Sequence, residues 1–232
     1  MVERYYIDRK AEYLQAFDDE ASFWRQILAD QEGEELAESM VSEARQEFES
    51  LLNQIPYIGG DENPLTASLV ESVHYLAFYK AMQKHNKSAA ETGKVLYDAV
   101  LAQVEKPQPA YPTGVVLTPE QLMQRRRQAA EWSQERRYPA DFVFEFVEGD
   151  GVEFDYGYDF SECAALKLYH AHGADEFTPF YCYLDFPKSR QGLRRTMALS
   201  EGYPKCNHRF KAGRPSEHGW PPPFLRRDGS QT

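Results

Sequence analysis

Residues 141–160 read DFVFEFVEGDGVEFDYGYDF, and the pattern of the chain changes within this stretch. Apolar and polar residues alternate from Phe142 to Val147 and again from Val152 to Tyr158, on either side of the sequence EGDG at 148–151. Two runs of period two around a Gly/Asp turn predict an antiparallel β-hairpin.

The segment after this hairpin mixes helical and strand patterns. We expect a helix over residues 161–172, capped by Asp159 or Ser161, and a short helix over 176–184. Strands are predicted over 193–200 and 206–211, with a turn between them. The tail from Arg214 contains three consecutive prolines and is predicted to be irregular, either draped on the surface or disordered.

Before the hairpin the chain has helical periodicity. Apolar residues recur at three- and four-residue steps and predict helices over about 8–29, 34–55, 66–85 and 88–104. Ser88 and Glu91 have the spacing of a capping box, and Thr118-Pro119 is typical of another helix start. Three prolines between Lys106 and Gly114 predict an extended crossover.

These patterns together predict an α+β protein, with an N-terminal helical bundle followed by an antiparallel-sheet domain with packed helices. We divide it into a helical domain (1–105), a proline-rich crossover and helix (106–140), an α+β domain (141–212) and an irregular tail (213–232).

Charge and composition exclude several kinds of partner. A net charge of −11 over 232 residues argues against nucleic acid, which binds basic surfaces. The basic run at 125–127 is followed by Glu131 and Glu135 and is interpreted as one side of a solvated, internally paired helix.

No run of apolar residues is long enough for a membrane span. Three cysteines without an export signal indicate reduced thiols in a cytoplasm. A homo-oligomer stays possible.

Two stretches of the sequence carry a family resemblance. The first is IPYIGG at 55–60, followed by Asn63-Pro64, Thr66 and LAFYKAM at 76–82. The second begins with YGYD at 156–159 and continues through Glu162-Cys163, Lys167-Leu168, Cys182, Asp185, Arg195-Thr196, Gly202, Cys206 and Arg209-Phe210. In order and spacing the chain resembles, over roughly residues 5–211, the L-2-amino-thiazoline-4-carboxylic acid hydrolase family.

The resemblance implies an enzyme that hydrolyses a carbon–nitrogen bond of a cyclic amidine, a thiazoline ring bearing a carboxylate. The chain departs from the family pattern at Tyr203, where a glycine is usual, and at Asn207-His208, where an Asp-Phe pair is usual. If that aspartate takes part in the chemistry, the departure predicts a changed substrate or a lost activity.

Candidate catalytic residues lie in the second stretch. Cys163, Cys182 and Cys206 are candidate nucleophiles, because a thiolate can attack the amidine carbon; each can instead be a small core residue. Glu162 and Asp185 are candidate general acids or bases. A zinc site built from the cysteines with Asp185 or His208 is weakly indicated, since no Cys-x-x-Cys pair is present. No metal or cofactor is therefore assigned.

Candidate substrate-binding residues carry positive charge or lie in the matched stretches. Arg195 can clamp a carboxylate with its planar fork, or form a structural ion pair, and Lys167 can act as a point charge. The Gly59-Gly60 turn allows close backbone approach to a ligand or to the second domain. Tyr158 and Asn63 complete this group.

We therefore weigh three functions. The first is hydrolysis of a small cyclic thiazoline-carboxylate-like substrate. The alternative is a non-catalytic or differently catalytic binder of a flat small molecule such as a tetrapyrrole, which the aromatic content of 14% favours. The third is an interaction protein whose cysteines are core residues.

Overall fold

The structure, a computed structural model, describes residues 4–105 and 118–227 and confirms the α+β class. Within these residues six helices precede the first strand, three lie between the second and third strands, and one follows the third: α1 (Tyr5–Asp8), α2 (Lys10–Glu32), α3 (Glu34–Leu51), α4 (Thr66–Lys84), α5 (Ala89–Glu105), α6 (Pro119–Gln134), α7 (Ala164–Ala171), α8 (Thr178–Tyr183), α9 (Asp185–Lys188) and α10 (Pro223–Arg227). The strands are β1 (Val143–Glu148), β2 (Tyr156–Glu162) and β3 (Cys206–Phe210).

The four long helices of the N-terminal part form where the apolar spacing predicts them. The α2 stripe buries Phe17 and Trp24, and α3 buries Met40 and Phe48 against it. Helix α4 is buried on nearly all sides and forms the centre of this part. A helix that is apolar all round has to be enclosed by other elements, and here α2, α3 and α5 pack on it from the N-terminal part and α7 from the second half of the chain.

Helix starts follow the capping signals in the sequence. The backbone N–H and hydroxyl of Ser88 both donate to Glu91, and the Glu91 N–H donates back to Ser88 Oγ. Thr118 caps α6, with Pro119 at its first position and Gln121 completing a capping box. The predicted crossover at 106–114 lies outside the described residues.

The hairpin is confirmed, but its second strand begins later than the alternation predicts. Strands β1, β2 and β3 form an antiparallel sheet in that order. The carboxylate of Asp150 accepts hydrogen bonds from the backbone N–H groups of Val152, Glu153 and Phe154, and this closes residues 149–155 into a loop. Strand β2 therefore starts at Tyr156 and extends to Glu162, and the predicted helix start at residue 161 is wrong.

The predicted strand over 193–200 is also wrong. This segment forms one β-bridge with the sheet, between Arg194 and Arg209, and one further backbone hydrogen bond, from the N–H of Asn207 to the carbonyl of Met197. The side chain of Asn207 accepts hydrogen bonds from the N–H groups of Thr196 and Met197, so these two groups do not pair with a strand backbone. Residues 199–201 then form a single 3₁₀ turn.

The tail packs onto the protein rather than staying irregular throughout. Trp220 and Phe224 contact the core, where the Phe180 ring lies 6.2 and 5.2 Å from theirs. The hydroxyl of Tyr183 donates to the carbonyl of Gly219. Within the described ranges no helix is both long and apolar enough to cross a membrane.

Candidate functional site

A cavity of about 700 Å³ lies between the sheet, α7 to α9 and the start of α4. Its floor is one face of β2 and β3, where three cross-strand pairs form successive rungs: Tyr156 with Phe210, Tyr158 with His208, and Phe160 with Cys206. Side chains alternate between the faces of a strand, so residues two apart share a face. The same alternation places all six side chains on the cavity.

The opposite wall comes from the helices that follow β2. Cys163 and Leu166 lie at the start of α7, Tyr181 and Cys182 on α8, and Asp185 and Lys188 on α9. The remaining polar groups of the wall come from four other places in the chain: Ser68 and Glu71 on α4, Gln103 on α5, Arg126 on α6, and Ser189, Arg190, Gln191 and Arg195 in the loop after α9.

Asp185 carries an ionised carboxylate at the middle rung. Its Oδ2 accepts a hydrogen bond of 2.8 Å from Arg195 and lies 3.5 Å from Nε2 of His208. Burial acts to raise the pKa of Asp185, but the imidazole and the guanidinium outweigh it and hold the pKa below its ordinary value. With 48% of the side chain exposed, the carboxylate is accessible from the cavity.

Arg195 holds Asp185 in place and has little of its side chain left for a ligand. Its second terminal nitrogen donates to the carbonyl of Cys182 at 2.8 Å, and its side chain is 5% exposed. The structural ion pair that the sequence left open as an alternative is therefore present.

His208 is the residue of this centre that the sequence marked as a departure and considered only as a zinc ligand, not as an acid or base. Its Nε2 lies 3.3 Å from Arg195 and faces Asp185, while its buried Nδ1 has no hydrogen-bond partner among the described residues. The alternation from Cys206 along β3 was the available signal, since it places His208 on the face that carries Cys206.

The three cysteines all line the cavity, as expected if they share one site. Burial raises the pKa of Cys163 to about 12 and also raises the pKa of Cys182 and Cys206. The thiols therefore stay protonated near neutral pH, which disfavours their use as nucleophiles. In the part of the chain that is described, no group of three His, Cys, Asp or Glu side chains is arranged to hold a metal ion.

Lys188 is a cavity cation that the sequence did not single out. Its Nζ donates to Glu71 at 2.6 Å and to the Tyr75 hydroxyl at 2.5 Å. Tyr75 in turn donates to Glu20, whose other oxygen lies 2.8 Å from Nδ1 of His74. Burial lowers the pKa of Lys188, yet the nearby carboxylates outweigh it and raise the pKa, so the ammonium is charged.

Several residues proposed from the sequence lie away from the cavity. Glu162 pairs with Arg136 and Lys167 at the protein surface, and Lys167 also donates to the carbonyls of Pro139 and Asp141. These contacts tie the end of β2 to the segment before β1. Asn63 is buried and donates to Asp141 and to the carbonyl of Ile58.

The Gly59-Gly60 turn contacts aromatic side chains rather than the cavity. A Cβ on Gly59 would lie 3.2 Å from Tyr138 and 3.3 Å from Trp132, and one on Gly60 would lie 2.7 Å from Tyr5. Both glycines have positive φ, +118° and +60°. The turn therefore meets the segment after α6, which is one of the two contacts that the sequence allowed.

The basic run on α6 is not the internally paired helix face that we expected. Arg127 pairs with Glu148 of β1, through bonds of 2.7 and 2.9 Å. Arg126 turns to the cavity instead, with its guanidinium carbon 3.9 Å from the centre of the Tyr156 ring. Sequence spacing along a helix cannot detect either partner, because both lie on the sheet.

Comparison with known proteins gives one family match. The model of the L-2-amino-thiazoline-4-carboxylic acid hydrolase family matches residues 68–210, more than half of the chain. Apart from Leu65, every residue that lines the cavity falls within this range. No curated protein and no solved structure matches the chain.

Proposed function

Because this chain belongs to the L-2-amino-thiazoline-4-carboxylic acid hydrolase family, we propose that its cavity binds and hydrolyses a small cyclic amidine that bears a carboxylate. The observation that carries the proposal is the ionised Asp185 carboxylate beside His208 on the floor of an aromatic cavity. Such a pair can take and return protons within reach of a bound ring.

Substrate binding uses the aromatic rungs and the cation on α9. A protonated amidine is a flat, delocalised cation, and the Tyr158 and Phe160 rings offer π-faces on which it can stack. Lys188 already donates to Glu71 and Tyr75, and the third N–H of its ammonium pairs with the ring carboxylate. Lys188 lies three residues after Asp185 and hence on the same side of that helical turn. Lys188 takes the role that Lys167 and Arg195 had in the sequence-based hypothesis.

The reaction adds one molecule of water to the ring. Asp185 accepts a proton from water as the water oxygen bonds to the amidine carbon. His208 then delivers a proton to the ring heteroatom, and the bond from that atom to the carbon breaks. As the carbon–oxygen double bond forms, the new hydroxyl gives its proton back to His208, and Asp185 releases to solvent the proton that it took from water. Arg195 keeps Asp185 ionised and oriented for the first step. The ring opens, and no atoms beyond those of the water are consumed.

The three positions at which the chain departs from the family pattern differ in whether they line the cavity. Tyr203 does not line the cavity, and the side chain of Asn207 holds the segment at 196–197. His208 alone of the three lies on the cavity. We propose that this histidine shifts the substrate away from the simplest thiazoline carboxylate while the hydrolytic reaction is kept.

A product analysis tests the proposed function. Purified protein is incubated in isotopically labelled water with five-membered ring amidines that carry or lack a carboxylate, and the mixtures are examined by mass spectrometry. We expect a ring-opened product heavier by one water, with the label in its new carbonyl, from a carboxylate-bearing ring. Conversion of no ring amidine, or equal conversion of rings without the carboxylate, would contradict the proposal.

A second candidate function is supported by the row of aromatic residues on the cavity floor. Tyr156, Tyr158, Phe160 and Phe210 form a continuous surface suited to a flat ligand. In this case the protein binds a tetrapyrrole or a similar chromophore without hydrolysis. Titration with protoporphyrin would then shift the Soret band at micromolar protein, and an unshifted band in the wild type would exclude this candidate.

A further inference from the structure

The end of the cavity at Tyr156 contains a guanidinium group without an anionic partner. The guanidinium carbon of Arg126 lies 3.9 Å from the centre of the Tyr156 ring, and its Nη1 is buried without a hydrogen-bond partner in the described part of the chain. Its Nη2 lies 3.5 Å from Oε1 of Gln191, which is long for a hydrogen bond. An unpaired buried N–H of a charged group is costly, so a ligand that pairs with it gains affinity.

The charge distribution around the cavity makes this end different from the middle. Arg195 is neutralised by Asp185, and Lys188 pairs with Glu71 and keeps one N–H for a ligand. Arg126 and the exposed Arg190 line the cavity as well, and neither has a carboxylate within ion-pair distance among residues 4–105 and 118–227. Arg190 does donate to the carbonyl of Val104, at 3.2 Å. In a chain with a net charge of −11, two arginines without a carboxylate partner on one cavity indicate a site for an anion.

The distance from this end to the acid–base centre follows from the sheet register. Tyr156 and Tyr158 are neighbours on one face of β2, roughly 6–7 Å apart along the strand. Arg126 therefore lies about one rung beyond His208 and Asp185. A ligand held at Lys188 by one carboxylate has to extend past the middle rung before a second acidic group reaches Arg126.

We infer that Arg126, supported by Arg190 and Gln191, binds a second carboxylate of the ligand, so that the cavity takes an extended dicarboxylate. The planar fork of a guanidinium matches a carboxylate through two parallel hydrogen bonds. That the substrate is a dicarboxylated ring amidine rests on the proposed function; the anion site itself rests on the contacts of Arg126.

Calorimetric titration of the full chain with simple acids tests the site without any turnover. The probes are the dicarboxylates from glutarate to suberate and the monocarboxylates of equal chain length. We expect one dicarboxylate to bind at least about tenfold more tightly than its matched monocarboxylate. In Arg126→Met this preference should disappear, and in Arg126→Lys most of it should be lost, because an ammonium cannot form the paired bonds.

Arg125→Met is the matched control, since it removes the same charge from the neighbouring, exposed position of α6. It should keep the full preference, and circular dichroism should show that each variant is folded. Three results would each overturn the inference. The first is equal binding of mono- and dicarboxylates by the wild type, and the second is an unchanged preference for the dicarboxylate in Arg126→Met or Arg126→Lys. The third is an equal loss of that preference in Arg125→Met. A missing hydrolytic activity would contradict the proposed function and leave this result intact.

Discussion

At the scale of single residues, burial decides which groups at the cavity are reactive. The thiols of Cys163, Cys182 and Cys206 were natural candidates, because a cysteine in a matched stretch offers a nucleophile. Their environment raises the pKa of each, whereas Arg195 and His208 lower that of Asp185. Residue type and spacing cannot predict that the thiols stay protonated while Asp185 is ionised, since both pKa shifts depend on neighbours that are distant in the sequence.

Replacing Cys182 tests whether a buried, protonated thiol takes part in the reaction. We expect Cys182→Ser to keep kcat/KM within about fivefold of the wild type, because a positioned acid or base would contribute about 10²–10⁴-fold and a protonated, buried thiol contributes packing. Steady-state kinetics on the ring amidine converted by the wild type measures the effect. A fall in kcat/KM of more than about a hundredfold in a folded Cys182→Ser variant would instead indicate that Cys182 is the nucleophile.

Many of the site residues predicted from the second matched stretch meet at the cavity, and their roles stay predictions. The second matched stretch contains Tyr158, Cys163, Cys182, Asp185, Arg195 and Cys206, and the structure brings these six together around one cavity. Glu71 and Arg126 join them from helices far away in the chain, with no local pattern to mark them. Glu162 lies next to Cys163 in sequence, yet the side chain of Glu162 does not line the cavity, because strand β2 extends through this residue.

At the scale of elements, the Gly59-Gly60 turn has a structural explanation. Gly60→Ala should lower the free energy of unfolding by about 1–3 kcal/mol, because the residue keeps a positive φ and its Cβ would lie 2.7 Å from the Tyr5 ring. Denaturant unfolding measures this, and KM should not change, since the turn is outside the cavity.

Gly33→Ala is the control for the glycine turn, because Gly33 also has a positive φ, +89°, but a Cβ there would meet nothing within 4 Å. Its loss of stability should be the smaller of the two. A raised KM in Gly60→Ala without a change in stability would instead indicate that the turn contacts a ligand.

The tail fixes the loop that lines the cavity after α9. Ser216 Oγ accepts a hydrogen bond from the N–H of Leu193 and donates one to the carbonyl of Ser189. Ser216→Ala leaves both backbone groups without this partner, at a cost of about 1–3 kcal/mol in the free energy of unfolding. We expect KM to rise several-fold with a smaller change in kcat.

Kinetics of Ser216→Ala beside Ser39→Ala, an exposed hydroxyl on α3, tests the role of the tail. Equal KM values for the two variants would show that the loop keeps its position without the tail.

Helices and the hairpin were predictable because their signals are local: apolar periodicity, caps and alternation. The strand predicted at 193–200 failed because its apolar residues pack on the body of the protein while Asn207 occupies the N–H groups that a strand would use. The tail is irregular up to residue 222 and lies on the protein, which is one of the two predicted alternatives, but nothing near Trp220 in the sequence indicates the aromatic surface that receives it.

At the scale of the whole molecule, the helical part and the sheet part share one apolar core. The Tyr79 and Phe177 rings stack 4.5 Å apart, and the Tyr169 hydroxyl donates to the carbonyl of Ser72. We propose that the segments 1–105 and 141–212, although they differ in secondary structure, unfold together. The cavity lies where these two parts meet, with α4 on one side and the sheet on the other.

Buried thiols and phenols make the stability of the molecule sensitive to alkaline pH. Burial raises the pKa of Cys163 and Tyr158 to about 12 and also raises that of Tyr75 and Tyr169. In the unfolded chain these groups ionise near pH 8.5 for cysteine and about 10 for tyrosine. The unfolded state then binds fewer protons than the folded state, so stability is full below about pH 8.5 and falls as pH rises.

Urea unfolding at several pH values measures this dependence. The urea midpoint should fall between pH 8 and pH 10.5. The free energy of unfolding should fall by up to about 1.4 kcal/mol per pH unit for each group that titrates. Cys182→Ser removes one such group and should give a shallower fall. A midpoint that is constant across this range would contradict the assigned pKa directions.

The central claim is that Asp185 drives the hydrolysis of a ring amidine, and the most direct test compares Asp185→Asn with Glu162→Gln. Both changes replace a carboxylate by an amide, one on the cavity and one in the surface pair with Arg136 and Lys167. We predict that kcat/KM falls by about 10²–10⁴-fold in Asp185→Asn and stays near the wild-type value in Glu162→Gln. Full activity in a folded Asp185→Asn, or its loss in Glu162→Gln alone, would contradict the account.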